Sequence, residues 1–103
     1  MAIVAVSIAP TGAGVSVGAY VAEALRVLEG QQRVRFELGP MFTTLEGDLP
    51  EIFDLILRMQ EAVFTAGAQR VGTVIKIDER RDRPAHMEEK VSSVRARLGW
   101  AEK

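Results

Sequence analysis

The sequence predicts an α+β fold of the ferredoxin-like class, a βαββαβ sandwich with an additional C-terminal helix, and three observations carry that expectation. Segments with β-branched or alternating apolar residues and segments with helical spacing follow one another in the order β-α-β-β-α-β-α. The two middle β segments are separated only by the turn at Gly39-Pro40, so they should pair as a hairpin while the other connections carry helices. No linker or low-complexity tract interrupts the 103 residues, which predicts a single domain over 1–103.

Residues 3–9 are short, β-branched and bounded by Pro10 and Gly12, which favours a strand. The loop "APTGAG" follows, and from Val17 the residues Tyr20, Val21, Ala24, Leu25 and Leu28 repeat at helical spacing. Ser16 is the candidate N-cap of that helix and Gly30 its stop. In "RVRFEL" Val34, Phe36 and Leu38 alternate with Arg35 and Glu37, as in a half-buried strand. After the turn, residues 41–47 form the third strand. Asp48 and Glu51 have capping-box spacing, with Pro50 in the first turn where no backbone donor is needed. Ile52, Leu55, Ile56, Met59 and Val63 mark the buried stripe of a second helix ending near Gly67. "RVGTVIKID" is the fourth strand and "ERRDRP" a charged turn in which local ion pairing is expected. Pro84 opens a third helix with Met87, Val91, Val94 and Leu98 on one face and Gly99 as its stop.

In the usual strand order of this architecture the first and third strands are central and the fourth lies beside the first. Side-chain alternation then sorts each strand into two sets. Val4, Val6, Ile8, Val34, Phe36, Leu38, Val71, Thr73, Ile75 and Ile77 should pack under the helices. Ile3, Ala5, Ser7, Arg35, Glu37, Phe42, Thr44, Glu46, Val74, Lys76 and Asp78 should form a second face. That face mixes charge with large apolar groups, which suits a surface covered by another subunit or, in part, by the third helix. Glu46 near Lys76 and Ser7 has two readings there: a structural ion pair with Lys76, or the polar part of a small-molecule pocket.

Composition narrows the function. Thirteen Lys and Arg against fourteen Asp and Glu leave no basic field for nucleic acid or an anionic membrane. The opening "MAIVAVSIA" lacks the cation of a signal peptide and is cut short by "PTGAG", so a buried strand and a cytoplasmic location are expected. The absence of cysteine removes disulfides and thiolate metal sites. His86 is the only histidine, placed on an exposed first helical turn, and supports neither a zinc site nor a triad. "APTGAG" is neither GxGxxG nor a complete Walker A loop and reads as a connection, with an anion or lid role as the alternative. Met41, Met59 and Met87 read as core fillers, and Trp100 as a pin for the C-terminus.

Taken together, "APTGAGVSVGAYVAEALRVL", "GPMFTTLEGD", "EAVFTAGAQRVGTVIKIDERRD" and "MEEKVSSV" resemble the small thiamine-binding proteins of prokaryotes, a family with a yeast member, over nearly the whole chain. The resemblance implies a ferredoxin-like subunit, a homotetramer built as a dimer of dimers, and binding of thiamine or its hydroxymethylpyrimidine precursor without known catalysis; no cofactor is expected. Pro40, Met41, Thr43, Glu46 and Gly47 match the family's proline-methionine strand. Ser16, Val17, Tyr20 and Val21 match the start of its first helix, and Lys76, Asp78, Arg80 and Asp82 its fourth strand and turn. Phe42 stands where a small residue is common and Gly18 where serine is frequent. The expected ligand-binding residues are Ser16, Tyr20, Met41, Phe42, Thr43, Thr44, Glu46 and Lys76. A carboxylate and hydroxyls suit an aminopyrimidine, and a carboxylate or aromatic face suits a thiazolium cation.

Two other functions stay open on the residues. One is an enzyme of a small phosphorylated metabolite using Arg80, Arg81 or Lys76 for the anion, although no nucleophile has a paired base. The other is a ligand-free structural or regulatory oligomer.

Overall fold

The computed structural model describes residues 1–100. It contains β1 (Ala2–Pro10), α1 (Gly18–Glu29), β2 (Arg35–Leu38), β3 (Thr43–Gly47), α2 (Leu49–Thr65), β4 (Val71–Glu79) and α3 (Met87–Leu98). The four strands form one antiparallel sheet in the order β2-β3-β1-β4, which is the ferredoxin-like arrangement.

The register fixes which side chains share a face. Phe36, Leu45, Val4 and Ile77 form one transverse row, and Leu38, Thr43, Val6 and Ile75 the next. Both rows point toward α1 and α2. Leu45, Val4, Val6 and Ile8 are buried there against Ala24 and Leu28 of α1 and Ile52, Leu55, Ile56, Met59 and Val63 of α2. The two helices lie over the centre of the sheet, so the edge strands are only partly covered. Phe36, Leu38, Ile75 and Ile77, expected under the helices, are on that side but remain 36–64% exposed. Only Val34 of the β2 apolar set is sealed, and it precedes the strand proper.

Helix starts depart from the expected caps. Val17, not Ser16, is the N-cap of α1, and no side chain caps it. Asp48 does occupy the N-cap of α2, but its side chain makes no capping bond, and Glu51 pairs instead with Arg33 at 3.0 Å. The stops agree with expectation: α1 ends at Gly30, and Gly99 adopts φ 73° after α3, where Trp100 N–H donates to the Arg95 carbonyl at 2.9 Å. Of the three methionines expected in the core, Met59 and Met87 are buried, whereas Met41 is 79% exposed at the tip of the β2–β3 hairpin. Gly39 is required in that hairpin. A Cβ there would stand 2.5 Å from the Phe42 carbonyl oxygen, which accepts the Gly39 N–H.

α3 lies on the opposite side of the sheet from α1 and α2. Among its apolar residues only Met87 is buried, while Val91, Val94 and Leu98 are each more than half exposed. Trp100 is also exposed, with the Arg95 guanidinium 5.9 Å from its ring centre. The helix therefore covers one end of the second face and leaves the remainder open.

Candidate functional site

Two transverse rows make the second face where α3 meets it: Arg35, Glu46, Ile3 and Asp78, then Glu37, Thr44, Ala5 and Lys76. Their side chains share a face because directly paired residues in antiparallel strands project together. Between this floor and the first turns of α3 lies a cavity of about 340 Å³, lined by Ile3, Ala5, Glu37, Gly39, Thr44, Lys76, Asp78, Met87, Lys90 and Val91. Its size falls at the lower end of small-molecule sites, which typically measure ~300–1,000 Å³. Ala5 is one of the two inner positions of the second row, and its short side chain leaves depth between longer neighbours. Met87 and Val91 supply an apolar wall, and Thr44 offers a hydroxyl.

Glu46 sets the position of that wall. It is 2% exposed. Its Oε1 accepts the Met87 backbone N–H at 2.6 Å, and its Oε2 lies 2.8 Å from an Arg35 guanidinium nitrogen and 3.1 Å from His86 Nδ1. Arg35 also bonds Glu88, and both carboxylates hold its guanidinium pKa above the ordinary value. Burial alone would push the Glu46 carboxyl up, but the Met87 N–H, His86 and Arg35 together outweigh burial and hold it below the ordinary value. The carboxylate thus satisfies a free N–H at the start of α3, where the helix dipole also favours negative charge. A structural role for Glu46 was one of the two expected readings, but its partners are Arg35, His86 and α3 rather than Lys76. A second tie lies nearby: Lys90 of α3 pairs with Asp78, and this bond holds the Asp78 carboxyl below its ordinary range.

The eight expected ligand residues do not converge on one cavity. Thr44 and Lys76 line the cavity under α3. Glu46 lies beneath the helix with its oxygens occupied. Thr43 is buried on the other face opposite Val6, and with Met41 and Phe42 it borders a small cavity of about 100 Å³ against α1. Ser16 is exposed in the loop before α1, and Tyr20 packs on the edge of the core. The rest of the lining consists of residues not expected as ligand contacts, among them Glu37, Ala5, Met87, Lys90 and Val91. Alternation had already put Glu37 and Ala5 on this face. The α3 residues carry no such signal, because an amphipathic pattern does not say which surface a helix will cover.

A larger, polar cleft of about 520 Å³ runs beside the charged turn. Its cations are already engaged: Arg80 with Asp82, Arg81 with Glu79, Arg83 with Glu89 and Lys90 with Asp78. The Arg80 guanidinium lowers the Asp82 pKa to about 2. Such pairing agrees with local ion pairing and leaves little free positive charge for a phosphate. Among the described residues no group of three or more His, Cys, Asp and Glu side chains could hold a metal ion, and no helix is long and apolar enough to cross a membrane.

Comparison with known proteins adds independent information. The sequence model of the family described as "Thiamine-binding protein" matches residues 4–95. The UPF0045 protein YqgV of Bacillus subtilis is 43% identical over 102 residues, covering 95% of this chain and 98% of that protein. Among solved structures, protein MJ1052 of Methanocaldococcus jannaschii superposes with a TM-score of 0.82 at 35% identity, over 90% of this chain and 94% of its own. A Bacillus cereus domain of unknown function, DUF77, does so with a TM-score of 0.80 at 36% identity, over 97% and 93%.

Proposed function

Since the chain belongs to the thiamine-binding protein family, we propose that it binds thiamine or its hydroxymethylpyrimidine precursor in the cavity between the second sheet face and α3, as a carrier, buffer or sensor in the cytoplasm. The observation that carries this reading is the cavity itself: a small-molecule volume with an apolar wall from Met87 and Val91, a hydroxyl from Thr44 and flanking carboxylates. An aminopyrimidine offers an exocyclic amine to a carboxylate and ring nitrogens to a hydroxyl, and the thiazolium cation gains from nearby negative charge. Thr44 and Lys76 act at the ligand, and Glu46 acts through α3. Met41, Phe42 and Thr43, together with Ser16 and Tyr20, lie toward α1 and belong to a subunit contact or to a ligand path completed by a second copy.

The reading is of a binding protein rather than an enzyme. The name of the family states binding and no reaction, and the cleft richest in arginine has its cations paired with carboxylates. A thermal-shift titration with thiamine and hydroxymethylpyrimidine tests the proposal. At a ligand concentration ten times Kd, binding to the native state alone adds about 1.4 kcal/mol, which raises Tm by about 6–11 °C for a domain of this size. Thr44→Val, which keeps the shape and removes the hydroxyl, should weaken that shift. A wild-type protein with no saturable shift for either compound would refute the ligand.

The same reading includes assembly of identical subunits into a tetramer. β4 presents nine residues whose outer edge is unpaired among the described residues, with Val74, Ile75 and Ile77 exposed on it. α2 is held beside it by the Thr73–Gln60 hydrogen bond of 2.5 Å and adds exposed Phe53, Leu57 and Phe64. A long apolar edge of this kind invites strand addition. Ile77→Lys should therefore reduce the particle mass measured by light scattering, whereas an unchanged mass would move the contact elsewhere.

A further inference from the structure

Four charged side chains line the cavity under α3, and they are not equivalent. Asp78 and Lys90 are bonded to each other across one wall. Glu37 and Lys76 remain, and each is exposed. They stand at opposite ends of a single transverse row, Glu37–Thr44–Ala5–Lys76, which crosses all four strands. Adjacent strands are ~4.8 Å apart, so the two Cα atoms are separated by about 14 Å. Among the described residues neither Glu37 nor Lys76 makes an ion pair, and Asp78, which feels the Lys76 charge, is already bonded to Lys90.

The floor is therefore polar in a directional sense: an acceptor at the β2 end, a hydroxyl and a shallow alanine at the centre, and an ammonium at the β4 end. Its four charges sum to zero, so a ligand with a single net charge leaves one end unanswered. A ligand carrying a donor or cation at one end and an oxyanion at the other answers both.

Resting on the reading of this cavity as the thiamine site, we infer that it takes its ligand in one orientation, with the aminopyrimidine toward Glu37 and the hydroxyethyl end toward Lys76, and that it selects the monophosphate ester over the free alcohol. The pyrimidine amine donates to the Glu37 carboxylate. The thiazolium cation passes over Ala5, and a phosphate at the far end accepts from the Lys76 ammonium. Charge-assisted hydrogen bonds of this type are stronger than those a neutral hydroxyl makes, which is the source of the selectivity. Glu37 and Lys76 are then specificity-determining residues, and neither supports the core, so both can be replaced in a folded protein.

Isothermal titration calorimetry with thiamine, thiamine monophosphate and hydroxymethylpyrimidine tests this on wild type, Glu37→Gln and Lys76→Met. Wild type should bind the monophosphate about tenfold more tightly than thiamine, roughly the worth of one charged hydrogen bond. Lys76→Met should bring that ratio close to one by weakening the monophosphate about tenfold more than thiamine, since the ester loses a charge-assisted contact where the alcohol loses only a neutral one. Glu37→Gln should weaken all three ligands by about five- to tenfold, since each carries the amine. Equal wild-type affinities for ester and alcohol, a ratio that survives Lys76→Met, or ligands indifferent to Glu37→Gln would each overturn the orientation while leaving the function standing. Failure of all three compounds to bind wild type would overturn the function and this inference together.

Discussion

Replacing Glu46 by alanine is expected to release α3 from the sheet while the rest of the domain stays folded. The substitution removes the acceptor of the Met87 N–H, the neighbour of His86 and one of the two partners of Arg35 at a position 2% exposed. The Met87 N–H is then left without its partner, and a void opens under the helix. Losing a buried charged acceptor of this kind costs on the order of 3 kcal/mol. The loss is not carried evenly. α3 has only Met87 buried, so little else holds it, and amide exchange over Met87–Leu98 should accelerate far more than in β1, β3 or α2. Glu46→Gln keeps the volume and loses the charge, and should fall between wild type and alanine. A helix that remains protected in the alanine variant would show that Met87 packing and the Lys90–Asp78 pair suffice to hold it.

The same carboxylate predicts a pH dependence. Its folded pKa lies below its ordinary value of 4.5. A depressed carboxylate contributes stability that is fully present above the unfolded pKa and is lost as pH falls through the folded one. The groups facing it are the Arg35 guanidinium, His86 and, through Arg35, Glu88. Glu88 is also held low by Arg35, so its protonation weakens the cluster in the same direction. α3 should therefore loosen as the solution is acidified below the ordinary glutamate value, and the Glu46→Ala variant should lose the part of that acid dependence that Glu46 carries while keeping the part due to the Lys90–Asp78 pair.

Leu45→Ala is expected to be at least as damaging and to act on the opposite layer. Leu45 is the immediate neighbour of Glu46, but strand alternation sends it to the helix side, where it is fully buried with Val4, Ile52 and Met59. Truncating a leucine in such a core costs about 3–5 kcal/mol, the transfer of the lost methyl and methylene groups plus the cavity they leave. At ~4–8 °C per kcal/mol this lowers Tm by more than 10 °C. Exchange should rise throughout β1, β3 and α2 rather than in α3 alone. A local effect confined to α3 would contradict the assignment of Leu45 to the central core.

These neighbouring residues also mark how much of the molecule was legible in its sequence. The alternation of Val4, Val6 and Ile8, and the stripe from Ile52 to Val63, determined the element order and the main core. Alternation likewise sorted Ile3, Ala5, Glu37, Thr44, Lys76 and Asp78 onto one face, which became the floor of the cavity. Burial at the sheet edges was not legible, because exposure of Phe36, Leu38, Ile75 and Ile77 depends on how far two helices reach across four strands. Nor were the caps: Ser16 and Glu51 have the right chemistry, but the chain enters α1 at Val17, and Glu51 finds Arg33. Only the tertiary structure decided the partner of Glu46. Periodicity fixes the face to which a side chain points, whereas register and the docking of α3 bring Arg35, His86 and the Met87 N–H to it from 11 to 41 residues away. Local sequence sets direction; the cavity exists because distant segments meet, and their meeting is set by the packing free energy of the whole chain.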